Sequence, residues 1–191
     1  MSDLAKAVRD PAIPRAMPTQ KPGKSVQIVV TPWNFIDAVE KRWGLIRFDL
    51  AADRGNLRVR TNTSAHAHLG PGSKIAEDAF SITWARVVPP VNSWLNPPFG
   101  DICPWAMHCS STVNDLLHPW GGTIFFLVPA SVGSNWWAEH VHRKAAVKFL
   151  RPRLVFEGHT QSYPKDLALC IYTRVQSKGL TPGYECWRWD R

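Results

Sequence analysis

The chain has 191 residues, room for one domain with little left for a second, and its 45% hydrophobic content supports a buried core and excludes global disorder. Its 23 Lys+Arg against 15 Asp+Glu give a formal charge of +8, which points to a polyanionic partner, nucleic acid foremost, or else only to solubility. No apolar run approaches the roughly 20 residues of a membrane span, and no charged-then-apolar signal pattern is present, so the expectation is a cytoplasmic protein without a membrane partner.

In chain order, residues 1–24 are rich in Pro, Lys and Arg and read as a mobile basic tail, with residues 25–191 as a single domain. Val26 to Val30 is a short β-branched run. Thr31-Pro32 reads as a helix start, with Thr31 as N-cap and Pro32 at the first helical position. Ile36, Val39 and Trp43 share a helical face, and Gly44 ends the helix. Leu45 to Leu50 reads as a buried strand carrying Asp49 near its end, followed by Ala51-Ala52. Residues 54–75 are polar, with a turn at Gly70-Pro71-Gly72.

Val91 to Leu95 is a short strand that Asn96-Pro97-Pro98-Phe99-Gly100 stops abruptly. A helix over Pro104 to Leu117 follows, then Thr123 to Val128, the most apolar run and the expected central strand. Ser134 caps a helix through His142. Residues 145–149, 153–156 and 167–173 read as strands, and Tyr184 to Trp189 as an edge strand. Alternating strands and helices predict an α/β domain with a largely parallel sheet, whose ligands bind at the carboxyl ends of the strands. Asp49, Asn96 and Pro129 fall at such ends.

Asn96-Pro97-Pro98-Phe99 carries the most chemical information. An exocyclic amine such as adenine N6 is a poor nucleophile because its lone pair is delocalised into the ring. Two acceptors aimed at its hydrogens localise that pair. The Asn96 side-chain oxygen supplies one and the Pro97 carbonyl the other, on a backbone that Pro97 and Pro98 make rigid. Phe99 offers a face on which an extruded base can stack. The bland reading is a proline pair that only ends a strand.

The series of motifs resembles the phage-type (Dam-like) DNA N6-adenine methyltransferases. It comprises Thr31-Pro32, Phe48-Asp49-Leu50-Ala51-Ala52, Asp78-Ala79-Phe80 with Trp84, and Trp94-Leu95-Asn96-Pro97-Pro98-Phe99-Gly100. Leu127-Val128-Pro129-Ala130 and Arg151-Pro152-Arg153-Leu154-Val155-Phe156 complete it, so the resemblance spans residues 29–175 in order. It implies a Rossmann-like S-adenosylmethionine-dependent methyltransferase sheet with flanking helices. It implies a site-specific enzyme that moves a methyl group from this small-molecule donor to adenine in double-stranded DNA, phage-encoded, working in the host bacterial cytoplasm and of the restriction-modification kind. Thr31, Pro32, Asp49, Ala51 and Asp78 then border the cofactor, with Asp49 near its methionine or ribose part and Asp78 at its adenine amino group. Asn96 to Phe99 hold the target adenine.

The sequence departs from many methyltransferases in lacking a GxGxxG loop after the first strand. Asn-Pro-Pro-Phe also fits enzymes that methylate a protein glutamine amide, so an RNA or protein substrate stays open, as does a nucleic-acid-binding module without catalysis. No metal site is expected. His66 and His68 lack a third ligand and read as solvent-facing loop residues. The ten tryptophans read mostly as packing, with Trp136-Trp137 as one core ring and one surface ring. The four cysteines form no CxxC pair and read as reduced thiols. Lys144, Lys148, Arg151 and Arg153 form a basic stretch suited to phosphates or to a solvated face.

Overall fold

The computed structural model describes residues 29–52, 55–60, 67–117, 119–174 and 182–191. The basic segment 1–24 lies outside the described residues, as do residues 26–28 of the first β-branched run.

Among the described residues there are four helices and six strands: α1 (Trp33–Trp43), β1 (Phe48–Asp49), α2 (Trp84–Val87), β2 (Asn92–Leu95), α3 (Cys103–Asn114), β3 (Thr123–Pro129), α4 (Asn135–His140), β4 (Ala146–Arg151), β5 (Leu167–Thr173) and β6 (Gly183–Arg188). A 3-10 turn, Ala79–Ser81, precedes α2. The strands form one sheet in the order β1-β2-β3-β5-β4-β6. β1, β2 and β3 pair in parallel, β5 runs antiparallel to both β3 and β4, and β6 is parallel to β4. Five carboxyl ends and the amino end of β5 therefore share one edge of the sheet. The fold is mixed α/β, with β6 on the edge and β3 in the interior, as expected.

Both faces of the sheet are covered. On β3, Ile124, Phe126 and Val128 pack with Ala106, Cys109 and Val113 of α3 and Trp137 of α4, while Phe125 and Leu127 pack with Phe35, Ile36, Val39 and Trp43 of α1. The alternation follows from the period-2 geometry of a strand buried on both sides. The expected apolar face of α1 is thus the one that is buried. Six tryptophans are buried (Trp43, Trp84, Trp94, Trp120, Trp137 and Trp187), and Trp33, Trp105, Trp136 and Trp189 are half-buried, so packing accounts for the tryptophan load.

Three local expectations are corrected. Pro32, not Thr31, occupies the N-cap of α1, in extended backbone at ψ 143°, and its carbonyl accepts the first helical bonds from Phe35 and Ile36. Thr31 is diverted because its hydroxyl serves Asn96. Residues 153–156 form no strand. Leu154 and Phe156 are buried with Val155 exposed between them, which mimics strand alternation, but the segment joins no ladder. α4 ends at His140 rather than His142, and Ser134 makes no side-chain cap there because its hydroxyl donates to the Ser131 carbonyl.

Candidate active site

The site is built at the carboxyl ends of β1, β2 and β3. β2 is a largely buried strand that closes with Trp94 and Leu95, and the two prolines after Asn96 prevent its continuation. Asn96 is held by its amide nitrogen. Nδ2 donates to the Val29 carbonyl at 2.7 Å and to Thr31 Oγ1 at 3.1 Å. Both partners offer acceptors, so the amide orientation is fixed by chemistry. Oδ1 is consequently left over, and it is buried with no hydrogen-bond partner. A buried unpaired acceptor costs about 1–3 kcal/mol, which suits an atom reserved for a ligand. Trp94 Nε1 is the other unpartnered buried side-chain polar atom among the described residues.

The tetrapeptide separates two cavities with no lining residue in common. One, of about 350 Å³, includes Ala51, Leu69, Asp78, Phe80, Asn96, Pro98 and Trp105 in its walls. The other, of about 250 Å³, includes Phe99, Asp101, Ser131, Trp136, Tyr163 and Lys165. The Phe99 ring stands edge-on to Tyr163 at 5.6 Å and to Phe156 at 6.3 Å. Pro97 is buried and lines neither, and Pro32 is occupied in starting α1.

Asp49 is 2% exposed and lies behind the wall of the larger cavity, on a smaller one shared with Thr31, Ala51, Asn56, Arg58, Trp94 and Asn96. Its carboxylate accepts from the Ala51 N–H at 3.1 Å and the Arg58 N–H at 3.0 Å. Burial raises its pKa to about 6, although those two backbone donors and the nearby His68 and Arg58 favour the anion. Asp78 is exposed on the wall of the larger cavity, where Oδ1 caps the 3-10 turn by accepting from the Phe80 N–H at 2.9 Å.

Thr31, Asp49, Ala51 and Asn96 are thus brought together, and Asp78 and Pro98 share the larger cavity with Ala51 and Asn96. Several neighbours escaped the sequence reading. Trp105 stands 4.4 Å from Phe80, and Asn56, Leu69 and Gly70 also line the cavity. His68 is a correction: it is 1% exposed, not solvent-facing, because residues 67–69 lie beside β1. The Asp49 N–H donates to the Ala67 carbonyl and the Leu69 N–H to the Asp49 carbonyl, both at 2.9 Å. The lack of apolar periodicity hid this pairing; the turn at Gly70 was its readable trace.

No group of three or more His, Cys, Asp or Glu side chains suited to a metal occurs among the described residues, and no helix there is long and apolar enough to cross a membrane. No curated protein and no solved structure matches the chain. The sequence profile of the DNA N-6-adenine-methyltransferase (Dam) family, in contrast, matches residues 19–168, which include the carboxyl ends of β1, β2 and β3 and every cavity wall described above. The chain belongs to the DNA N-6-adenine-methyltransferase (Dam) family.

Proposed function

We propose that residues 25–191 form a single Rossmann-like catalytic domain that transfers a methyl group from S-adenosylmethionine to N6 of adenine at specific sites in double-stranded DNA. The observation that carries this reading is Asn96, on the wall of the larger cavity, anchored through Nδ2 with Oδ1 buried and unpaired. The larger cavity fits the donor's chemistry. Leu69, Phe80 and Trp105 are apolar walls for a purine, and Glu77 and Asp78 are acceptors for amino and hydroxyl groups. Ala51 is on its wall, and Thr31 and Asp49 line the small cavity behind that wall. When bound, S-adenosylmethionine supplies an electrophilic methyl group on a sulfonium.

The protein's part is positioning. Asn96 Oδ1 and the Pro97 carbonyl accept hydrogen bonds from the adenine amino group, which localises the nitrogen lone pair. Phe99, with Tyr163 and Trp136 beside it in the second cavity, supplies flat apolar surface for an extruded base. Lys165 on the same wall is a contact for a flanking phosphate. The formal charge of +8 supports a DNA partner. The phage-type resemblance extends the proposal to action in the bacterial cytoplasm, alongside restriction.

The test is incubation with methyl-tritiated S-adenosylmethionine and unmethylated duplex DNA, followed by nucleoside identification. Label in N6-methyladenine is expected. Label in RNA or in protein glutamine instead would replace the substrate, and binding of DNA without any transfer would leave a non-catalytic module. Asn96→Ala is expected to reduce transfer by about 10²–10³-fold while leaving cofactor affinity nearly unchanged. Near-normal turnover in that variant would remove Asn96 from the mechanism.

A further inference from the structure

Residues 29–31 divide their polar atoms between two neighbours. The Val29 carbonyl and the Thr31 hydroxyl accept from Asn96 Nδ2. The Val30 carbonyl instead accepts from the Glu157 N–H at 2.9 Å, and the Thr31 carbonyl accepts from Arg58 Nε at 2.6 Å. Arg58 and Glu157 are themselves joined, Nη2 to Oε2 at 2.6 Å, with side chains 6% and 41% exposed. The Arg58 guanidinium also lies 4.9 Å from the Trp33 ring centroid. The segment that orients Asn96 is therefore gripped from its other side by one ion pair.

We propose that Arg58, paired with Glu157, is a positioning residue for methyl transfer, holding residues 29–31 so that the Asn96 amide keeps Nδ2 engaged and Oδ1 available to the substrate amino group. The inference rests on the methyltransferase reading of Asn96. A carboxamide is nearly symmetric in shape, so only its hydrogen-bond partners select between its two orientations. The flipped amide would meet an amino group with a donor instead of an acceptor. Val29 and Thr31 make that selection, and Arg58 fixes where they stand. A buried arginine that donates to the Thr31 carbonyl through Nε and to Glu157 through Nη2 suits the task because its planar fork is pre-organised. Glu157 follows Phe156, whose ring packs against Phe99, so the clamp also ties together both ends of the tetrapeptide.

The backbone N–H of Arg58, which serves Asp49, survives side-chain replacement. Arg58→Met is therefore expected to lower kcat by about 10- to 100-fold with the cofactor KM within about threefold of wild type. A raised KM with unchanged kcat would overturn the proposal. Glu157→Gln breaks the same ion pair and serves if Arg58→Met does not fold. Thr31→Val removes one of the two acceptors, beside the Val29 carbonyl, through which the clamp acts on Asn96. In the double variant Arg58→Met/Thr31→Val the losses should fall short of multiplying, whereas losses that multiply would mean independent action and defeat the proposal. The second readout is solvent exchange of the Asn96 side-chain NH2 by NMR. We expect about tenfold faster exchange in Arg58→Met or Glu157→Gln, with core amides such as Phe125 unaffected. Should the wild-type protein methylate no substrate, the enzymatic reading would fall, while this exchange measurement would still decide the clamp: acceleration upholds it and an unchanged rate refutes it.

Discussion

Asp49 combines near-complete burial with a carboxyl group that titrates at about pH 6. Desolvation drives the pKa upward, and the N–H groups of Arg58 and Ala51 resist it. On the proposed reading, the ionised carboxylate is the form that attracts a cationic amino group of the cofactor. Protonation removes that attraction, so affinity depends on pH with a defined sign. Below about pH 6, S-adenosylmethionine affinity should fall by close to tenfold per pH unit, and above it the affinity should level off. Calorimetric titration of the folded protein between about pH 5 and about pH 8 checks this. Asp49→Ala should bind more weakly and show no such dependence. A flat wild-type profile would take the Asp49 carboxylate out of cofactor binding. Asp49 and Asn96 were readable in the sequence because they sit where strands end. His68 and Trp105 were not, because their roles depend on which loop folds back against β1 and how α3 begins, and periodicity reports neither.

Between β1 and the larger cavity lies the segment 67–70, which continues the sheet beyond β1 without being a regular strand. Gly70 makes its approach possible. At φ +121° a side chain would be strained, and an added Cβ would stand 2.2 Å from the Ala52 carbonyl oxygen. Gly70→Ala should therefore destabilise the protein by about 1–3 kcal/mol and weaken cofactor binding together, as read by denaturant unfolding and calorimetry. Binding and stability equal to wild type would show that the segment moves freely. The same comparison explains what sequence patterns conveyed about the elements. β3 and β5 were legible because nearly all their residues are apolar, β-branched or aromatic and are enclosed on both faces, and β2 because the proline pair after Asn96 marks its end. Residues 153–156 carried the same alternation but join no ladder of the sheet, since Leu154 and Phe156 are buried by a loop packed on the α1 side whose carbonyls accept from Tyr163 and His159 instead. Thr31 failed as a cap for the opposite reason: a tertiary partner 65 residues away claims its hydroxyl.

For the molecule as a whole, the topology sorts positive charge between the two edges of the sheet. The basic stretch from Lys144 to Arg153 is not one surface. Lys144 precedes β4 and lies at the edge remote from the site, Lys148 is paired with Glu185, and Arg153 is paired with Asp166. Arg151 and Lys165 stand at the site edge, where β4 ends and β5 begins. Lys165→Glu should weaken duplex DNA binding and reduce the slope of log affinity against log salt by about 1, while Lys144→Glu should change neither. Equal effects from both would mean that DNA does not approach the carboxyl edge. The two cavities divided by Asn96 to Phe99 bear on what happens after a turnover. On the proposed reading, donor and acceptor base occupy cavities that share no wall residue. Separate compartments would let a spent donor leave while the duplex stays engaged, which is the physical requirement for processive modification of several sites along one duplex.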